Sequence, residues 1–130
     1  MRKLIFTAVL CLAAPVTGDA QSVEHGKYIV ERVGMCHDCH TPRDQNGQLI
    51  VARALQGAPI GSQPIHPMPW AEQAPPIAGL PAHYTPDQMV TFLQTGKRPD
   101  GSLPRPPMPP YRFSRDDALA VTTYLRTVKR

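Results

Sequence analysis

Proline is the residue that most limits what this chain can fold into. Of its 16 prolines, all but Pro15 and Pro42 fall between Pro59 and Pro110. Each locks φ and lacks a backbone N–H, so neither a long helix nor a central strand can run through that half. The middle of the chain is therefore expected to be loop, with regular structure confined to what proline leaves alone.

Three stretches satisfy helical patterning, and no internal repeat is visible. The first spans about Ser22 to Val33, with Ser22 as N-cap, Val23, Gly26, Val30 and Val33 on one face, and Gly34 as the stop. The second opens at Thr85 with Pro86 at its first position and Gln88 where a capping box expects an amide, and runs through Met89, Phe92 and Leu93 to Gly96. The third starts at Ser114, with Asp116 and Asp117 at the positive end of the helix dipole. Its apolar stripe is Ala118, Val121, Tyr124, Leu125 and Val128, and Arg126, Lys129 and Arg130 suit its negative end. Nothing between these helices alternates long enough to form a strand. The fold class expected is all-α, with three main helices and long proline-rich loops.

Residues 1–20 read as a secretory leader. Arg2 and Lys3 give the charged start, Leu4 to Ala14 the apolar run, and Gly18-Asp19-Ala20 a small-residue cleavage site, so the mature chain is expected as one domain over 21–130. The apolar run is too short for a bilayer span, which needs ~20 residues, and the mature protein is expected to be soluble, without stable membrane insertion. Cys11 departs with the leader. It follows Leu10 rather than a small residue, which argues against a lipid anchor there. Without the leader, 12 basic residues face 9 acidic ones, a net of +3, too weak and dispersed for nucleic acid but suited to an acidic protein partner. A chain of about 110 residues with few aromatics has a marginal core, which a bound prosthetic group would reinforce.

The chemistry is carried by Cys36-His37-Asp38-Cys39-His40, which matches Cys-x-x-Cys-His, the attachment signature of c-type haem. Two thiols three residues apart on one helical turn can each add to a vinyl group of the same porphyrin, and the histidine that follows points at the iron. His40 is thus the expected proximal ligand, while His37, inside the variable pair, is expected to face away as a surface residue. Rival readings lack support in the sequence. Zinc needs two further ligands, and His25, His66 and His83 are scattered; a thioredoxin-like pair needs a preceding strand; a simple disulfide leaves the trailing histidine without a role. The cofactor expected is one covalent haem c.

Among the methionines, Met35 adjoins the first attachment cysteine and Met89 lies on a helical apolar face. Met68 and Met108 remain as distal candidates. Met108 is favoured because Pro106, Pro107, Pro109 and Pro110 stiffen its loop, leaving less entropy to lose on forming a weak iron–thioether bond.

With these parts in this order, the sequence resembles the class I c-type cytochromes, of the bacterial periplasmic monohaem kind, over nearly all of 21–130. The resemblance implies a small cytochrome c-like fold in which Gly26 meets Tyr124 where the terminal helices cross. It also implies that Ala74-Pro75-Pro76-Ile77-Ala78-Gly79-Leu80 backs the proximal histidine, with the Pro75 carbonyl accepting the His40 ring N–H. The stretch from Pro42 to Gln73 is longer than in the smallest members. Within it Trp70 is a candidate donor to a haem propionate or a packing residue at the porphyrin edge, and Arg43, Arg98, Arg105 and Arg112 are further propionate candidates.

The function implied is electron transfer without substrate chemistry. The protein would be a periplasmic carrier or a dehydrogenase-linked subunit that passes electrons between a periplasmic dehydrogenase and a terminal oxidase or other acceptor. Lys97, Arg98, Arg105, Arg112 and Arg115, gathered in sequence around Met108, would form its docking ring. The alternative is an open sixth site, serving a gas sensor or a peroxidase-like enzyme, with His66 or His83 as distal group.

Overall fold

The structure, a computed structural model, describes residues 18–130, with side chains from residue 22 onward. Most of the expected leader, residues 1–17, lies outside the described residues. The architecture is all-α, as expected for a small cytochrome c-like fold, with helices α1 (Gly18–Tyr28), α2 (Cys36–His40), α3 (Pro86–Thr95) and α4 (Arg115–Thr127). Among the described residues, no helix is long and apolar enough to cross a membrane.

Helix α1 starts before Ser22, which is therefore an interior residue and not the N-cap expected from the sequence. A serine caps only where the chain ahead of it leaves the helix, and Ala20 and Gln21 are good helix formers that carry the turn further back. At its other end α1 widens into a π-helical turn, Ile29–Val33, closed by the Gly34 N–H on the Ile29 carbonyl at 2.7 Å. Such turns redirect a helix without breaking its hydrogen bonding. Here the turn delivers the chain through Met35, left-handed at φ 45°, into α2.

Helix α3 has the termini its sequence dictates. Thr85 Oγ1 accepts the Gln88 N–H at 3.2 Å, Gln88 Oε1 accepts the Thr85 N–H at 2.9 Å, Pro86 opens the helix, and Gly96 closes it at φ 70°. Helix α4 begins on Ser114, whose Oγ accepts the Asp117 N–H at 3.1 Å.

Helix α1 crosses α4 at Gly26. A Cβ there would overlap the Ala120 carbonyl and lie 2.9 Å from the Tyr124 Cβ, so the close approach depends on the missing side chain. Tyr124 also donates its hydroxyl proton to Glu31 Oε1 at 3.2 Å across the same junction. The core behind this crossing joins Ile29 and Val30 to Met89, Val90, Phe92 and Leu93 of α3 and to Ala118, Val121 and Leu125 of α4. The loops contribute Leu55, Ile77, Ala78 and Leu80 to it, and Tyr84 meets Phe92 edge-on at 5.9 Å.

The loops contain a short antiparallel ladder, β1 (Ala58–Pro59) against β2 (Gln73–Ala74), pairing Ala58 with Ala74 and Pro59 with Gln73. At two residues a side it shows no alternation, and only the fold brings its halves together. It matters because β2 ends immediately before Pro75.

Candidate functional site

The single turn of α2 gathers the motif side chains. Cys36 packs against the core, and both it and Cys39 are free thiols. Burial, reinforced by the neighbouring Cys39, pushes the Cys36 thiol up to about 11, although the local backbone N–H opposes the shift. Tyr111 packs against the same core cluster as Cys36. Its hydroxyl donates to the Gly34 carbonyl at 2.7 Å, and its pKa is pushed up to about 12 by burial first and the two thiols next. Tyr111 in turn stacks on Phe113 at 4.8 Å.

His40 is 5% exposed. Its Nδ1 lies 2.7 Å from the Pro75 carbonyl oxygen. A carbonyl can only accept, so Nδ1 carries the hydrogen and the ring's lone pair falls to Nε2. Burial lowers the pKa of the imidazole, the Pro75 carbonyl partly opposes that shift, and nearby His37 adds to it. The result is a neutral ring in one tautomer with a donor nitrogen available. The His40 backbone is fixed as well, since its carbonyl accepts the Gly57 N–H at 2.8 Å. Gly57 sits at φ 84°, where a Cβ would lie 2.9 Å from both the Ala74 carbonyl oxygen and the Pro76 nitrogen. Glycine there lets the ladder close against the segment that presents Pro75.

His37 is not the plain surface residue expected from its place in the motif. It is half-buried, its Nδ1 lies 2.9 Å from Thr41 Oγ1, and its Nε2 is buried with no partner among the described residues. Thr41, itself 1% exposed, also accepts the Leu55 N–H at 2.9 Å. That pair ties the end of α2 to the loop that backs His40. On this outer side of α2 lies an open cavity of about 370 Å³, reached by His37, Met35 and Val51.

The methionines separate by burial. Met89 is core at 3% exposed, Met35 and Met68 stand out at 57% and 49%, and Met108 is partly buried against the same core cluster as Cys36, Tyr111 and Phe113. The Met108 loop is anchored at three points. Met108 N–H donates to Arg105 O at 3.3 Å, Ala71 N–H to Pro106 O at 2.7 Å, and Phe113 N–H to Leu93 O at 3.1 Å. Trp70 directs its indole N–H to the Ser62 carbonyl at 2.9 Å, so that donor serves the loop rather than the propionate role considered above. Arg43 reaches Gly47 O and Asp38, Arg98 reaches Leu103 O at 2.8 Å, and Arg112 reaches Tyr111 O at 2.8 Å. Lys97, Arg105 and Arg115 are exposed.

Two of these residues, Thr41 and Tyr111, carry site geometry that patterning did not single out. Tyr111 was in principle findable. An aromatic with a polar tip, placed directly after a rigid proline run, generally seeks a hydrogen-bond partner when it packs. Thr41 offered no such signal for its bond to Leu55, which is met only through the fold.

No family model matches this sequence. Over 45 residues, 34% of the chain, it is 47% identical to a protein of Cereibacter sphaeroides described as "Diheme cytochrome c-type". The matched stretch is 15% of that protein's length, so the similarity is to one part of a much longer relative.

Proposed function

We propose that this chain is a c-type cytochrome of the class I, monohaem kind that transfers single electrons, with one haem joined to Cys36 and Cys39. The observation that carries this reading is the state of His40, one residue past the second thiol. Its ring is buried, with Nδ1 committed to the Pro75 carbonyl at 2.7 Å and Nε2 the nitrogen left free to act as donor. The partial similarity to a protein described as "Diheme cytochrome c-type" supports the c-type part of this reading. Since Cys36-His37-Asp38-Cys39-His40 is the one such motif in this sequence, the proposal is one haem per chain.

When bound, haem supplies an iron that alternates between ferric and ferrous states. The chain's own residues do the rest. Cys36 and Cys39 would supply the thioether sulfurs, and His40 and Met108 would hold the iron through nitrogen and sulfur. The Pro75 carbonyl keeps the imidazole in the correct tautomer and strengthens it as a donor. The core around Cys36, Tyr111 and Phe113 excludes water, which together with a thioether ligand favours the less charged ferrous state and a raised potential. The stiff, anchored Met108 loop limits the entropy lost in holding its sulfur.

The protein would work in the periplasm, accepting electrons from a dehydrogenase and passing them to a terminal oxidase or other acceptor. Lys97, Arg98, Arg105, Arg112 and Arg115 would steer an acidic partner, so exchange should slow as ionic strength rises. A redox titration of natively matured protein, followed by addition of carbon monoxide, tests the reading. It predicts one reversible one-electron transition and little reaction with the gas. Rapid, tight gas binding would reveal an open sixth position and an activity other than simple electron transfer.

A further inference from the structure

The segment that presents the Pro75 carbonyl is fastened at its far end by the side chain of Arg130. After β2 the chain runs Pro75-Pro76-Ile77-Ala78-Gly79-Leu80. The Ile77 and Ala78 N–H groups donate to Leu55 O at 2.9 and 3.0 Å, and the Gly79 N–H donates to Leu125 O, in the last turn of α4, at 2.9 Å. Arg130 then spans the turn. Its Nε reaches Ala78 O at 3.3 Å, and its Nη2 reaches Gly79 O and Leu80 O, each at 3.0 Å.

The turn has the shape this contact needs. Gly79 sits at φ 65°, and a Cβ there would lie 3.0 Å from Arg130 Nε and 3.1 Å from its Cγ, so the absent side chain leaves room for the arginine stem. Leu80 follows at φ 73° while buried in the core, a left-handed conformation that a side chain disfavours. Its carbonyl meets the same Nη2 as that of Gly79. A planar guanidinium bonds several acceptors at once in a way an ammonium does not. Among the described residues Arg130 forms no ion pair, and its hydrogen bonds go to these three carbonyls.

We propose that Arg130 is a positioning residue for His40. By clamping Ala78 to Leu80 it holds the Pro75 carbonyl against Nδ1 and so sets the donor strength of Nε2, an inference that rests on the haem reading above. The lever is short. Only Pro76, with its locked φ, and Ile77 separate Pro75 from the clamped carbonyls. Pro75 itself is exposed, so any loosening admits water to compete for the imidazole N–H.

The test uses haem-loaded protein in three forms: wild type, Arg130→Lys, which keeps the charge but loses the planar fork, and Arg130→Met. Exchange of the His40 Nδ1 proton, followed by NMR in the reduced state, should quicken about tenfold in Arg130→Met and less in Arg130→Lys, as expected for local opening. The midpoint potential of Arg130→Lys should rise above wild type, because a weaker hydrogen bond at Nδ1 makes a poorer donor to ferric iron. Loss of a positive charge alone would lower the potential, so a rise in the charge-keeping variant isolates the clamp. Wild-type exchange in both variants, or an unmoved potential in Arg130→Lys, overturns the proposal even if thermal stability falls. Should Arg130→Met fail to accumulate, Arg130→Lys decides alone. Absence of haem from the wild type would instead defeat the functional reading, which keeps the two failures distinct.

Discussion

Replacing Gly26 with alanine isolates the helix crossing on which the fold is built. By helix propensity alone the change should help, since alanine in a helix interior is favoured over glycine by about 1 kcal/mol. The structure reverses that sign. The new Cβ would overlap the Ala120 carbonyl and lie 2.9 Å from the Tyr124 Cβ, neither of which is the far end of a flexible side chain. Relief requires α1 to move off α4 and to loosen the core that Ile29 and Val30 share with Val121 and Leu125. Overpacking of this kind costs ~1–3 kcal/mol, and a backbone obstruction belongs at or above the upper end, leaving a net destabilisation of about 2 kcal/mol after the propensity gain. For a domain of this size that corresponds to a melting temperature lower by roughly 10 °C. Gly61→Ala is the control, because a Cβ there meets nothing within 4 Å. Thermal unfolding of both variants beside the wild type gives the answer. A Gly26→Ala protein as stable as the wild type would refute the close approach.

Three further outcomes are expected. Thr85→Ala removes the acceptor of the Gln88 N–H and should lower stability by about 1 kcal/mol in urea unfolding, whereas no change would show the capping box to be idle. Tyr111→Phe deletes the 2.7 Å bond to Gly34 and should also cost about 1 kcal/mol while leaving the thiols in place, measured the same way. Asp117 has its pKa held below the ordinary carboxylate value, first by the hydrogen bond from His25 and then by that from Ser114. Its contribution should therefore be complete above pH 3.8 and be lost as pH falls through the depressed value. A melting-temperature series from pH 5 to pH 2 should thus fall less steeply for Asp117→Asn than for the wild type, and equal slopes would remove Asp117 from the acid response.

What could be read from the sequence was what local chemistry decides. The Thr85, Pro86 and Gln88 start, the Gly96 stop and the Ser114 cap all depend on residues within a turn of one another, and all are present. The Gly26 crossing with Tyr124 was legible through the resemblance, and the missing side chain supplies its physical reason. Ser22 misled because a cap residue has no meaning where the helix continues behind it. Most of the remaining differences involve partners beyond the local turn. Trp70 finds Ser62, Thr41 finds Leu55, and the two-residue ladder forms only once Ala58 and Ala74 are brought together, whereas His37 meets Thr41 one helical turn on, a local pairing masked by its place inside the variable pair of the motif. Arg130 read as a charge at the end of a dipole, yet its hydrogen bonds go to a turn about 50 residues earlier, a pairing that follows from topology and from no pattern in its vicinity.

The central claim is that Cys36 and Cys39 are joined covalently to a porphyrin. Intact mass measurement of protein made in a host able to mature c-type cytochromes, repeated after acid-acetone extraction, addresses it directly. The account predicts one haem of added mass per chain that survives extraction and disappears when both cysteines are replaced by alanine. Recovery of the unmodified polypeptide from that host would contradict it.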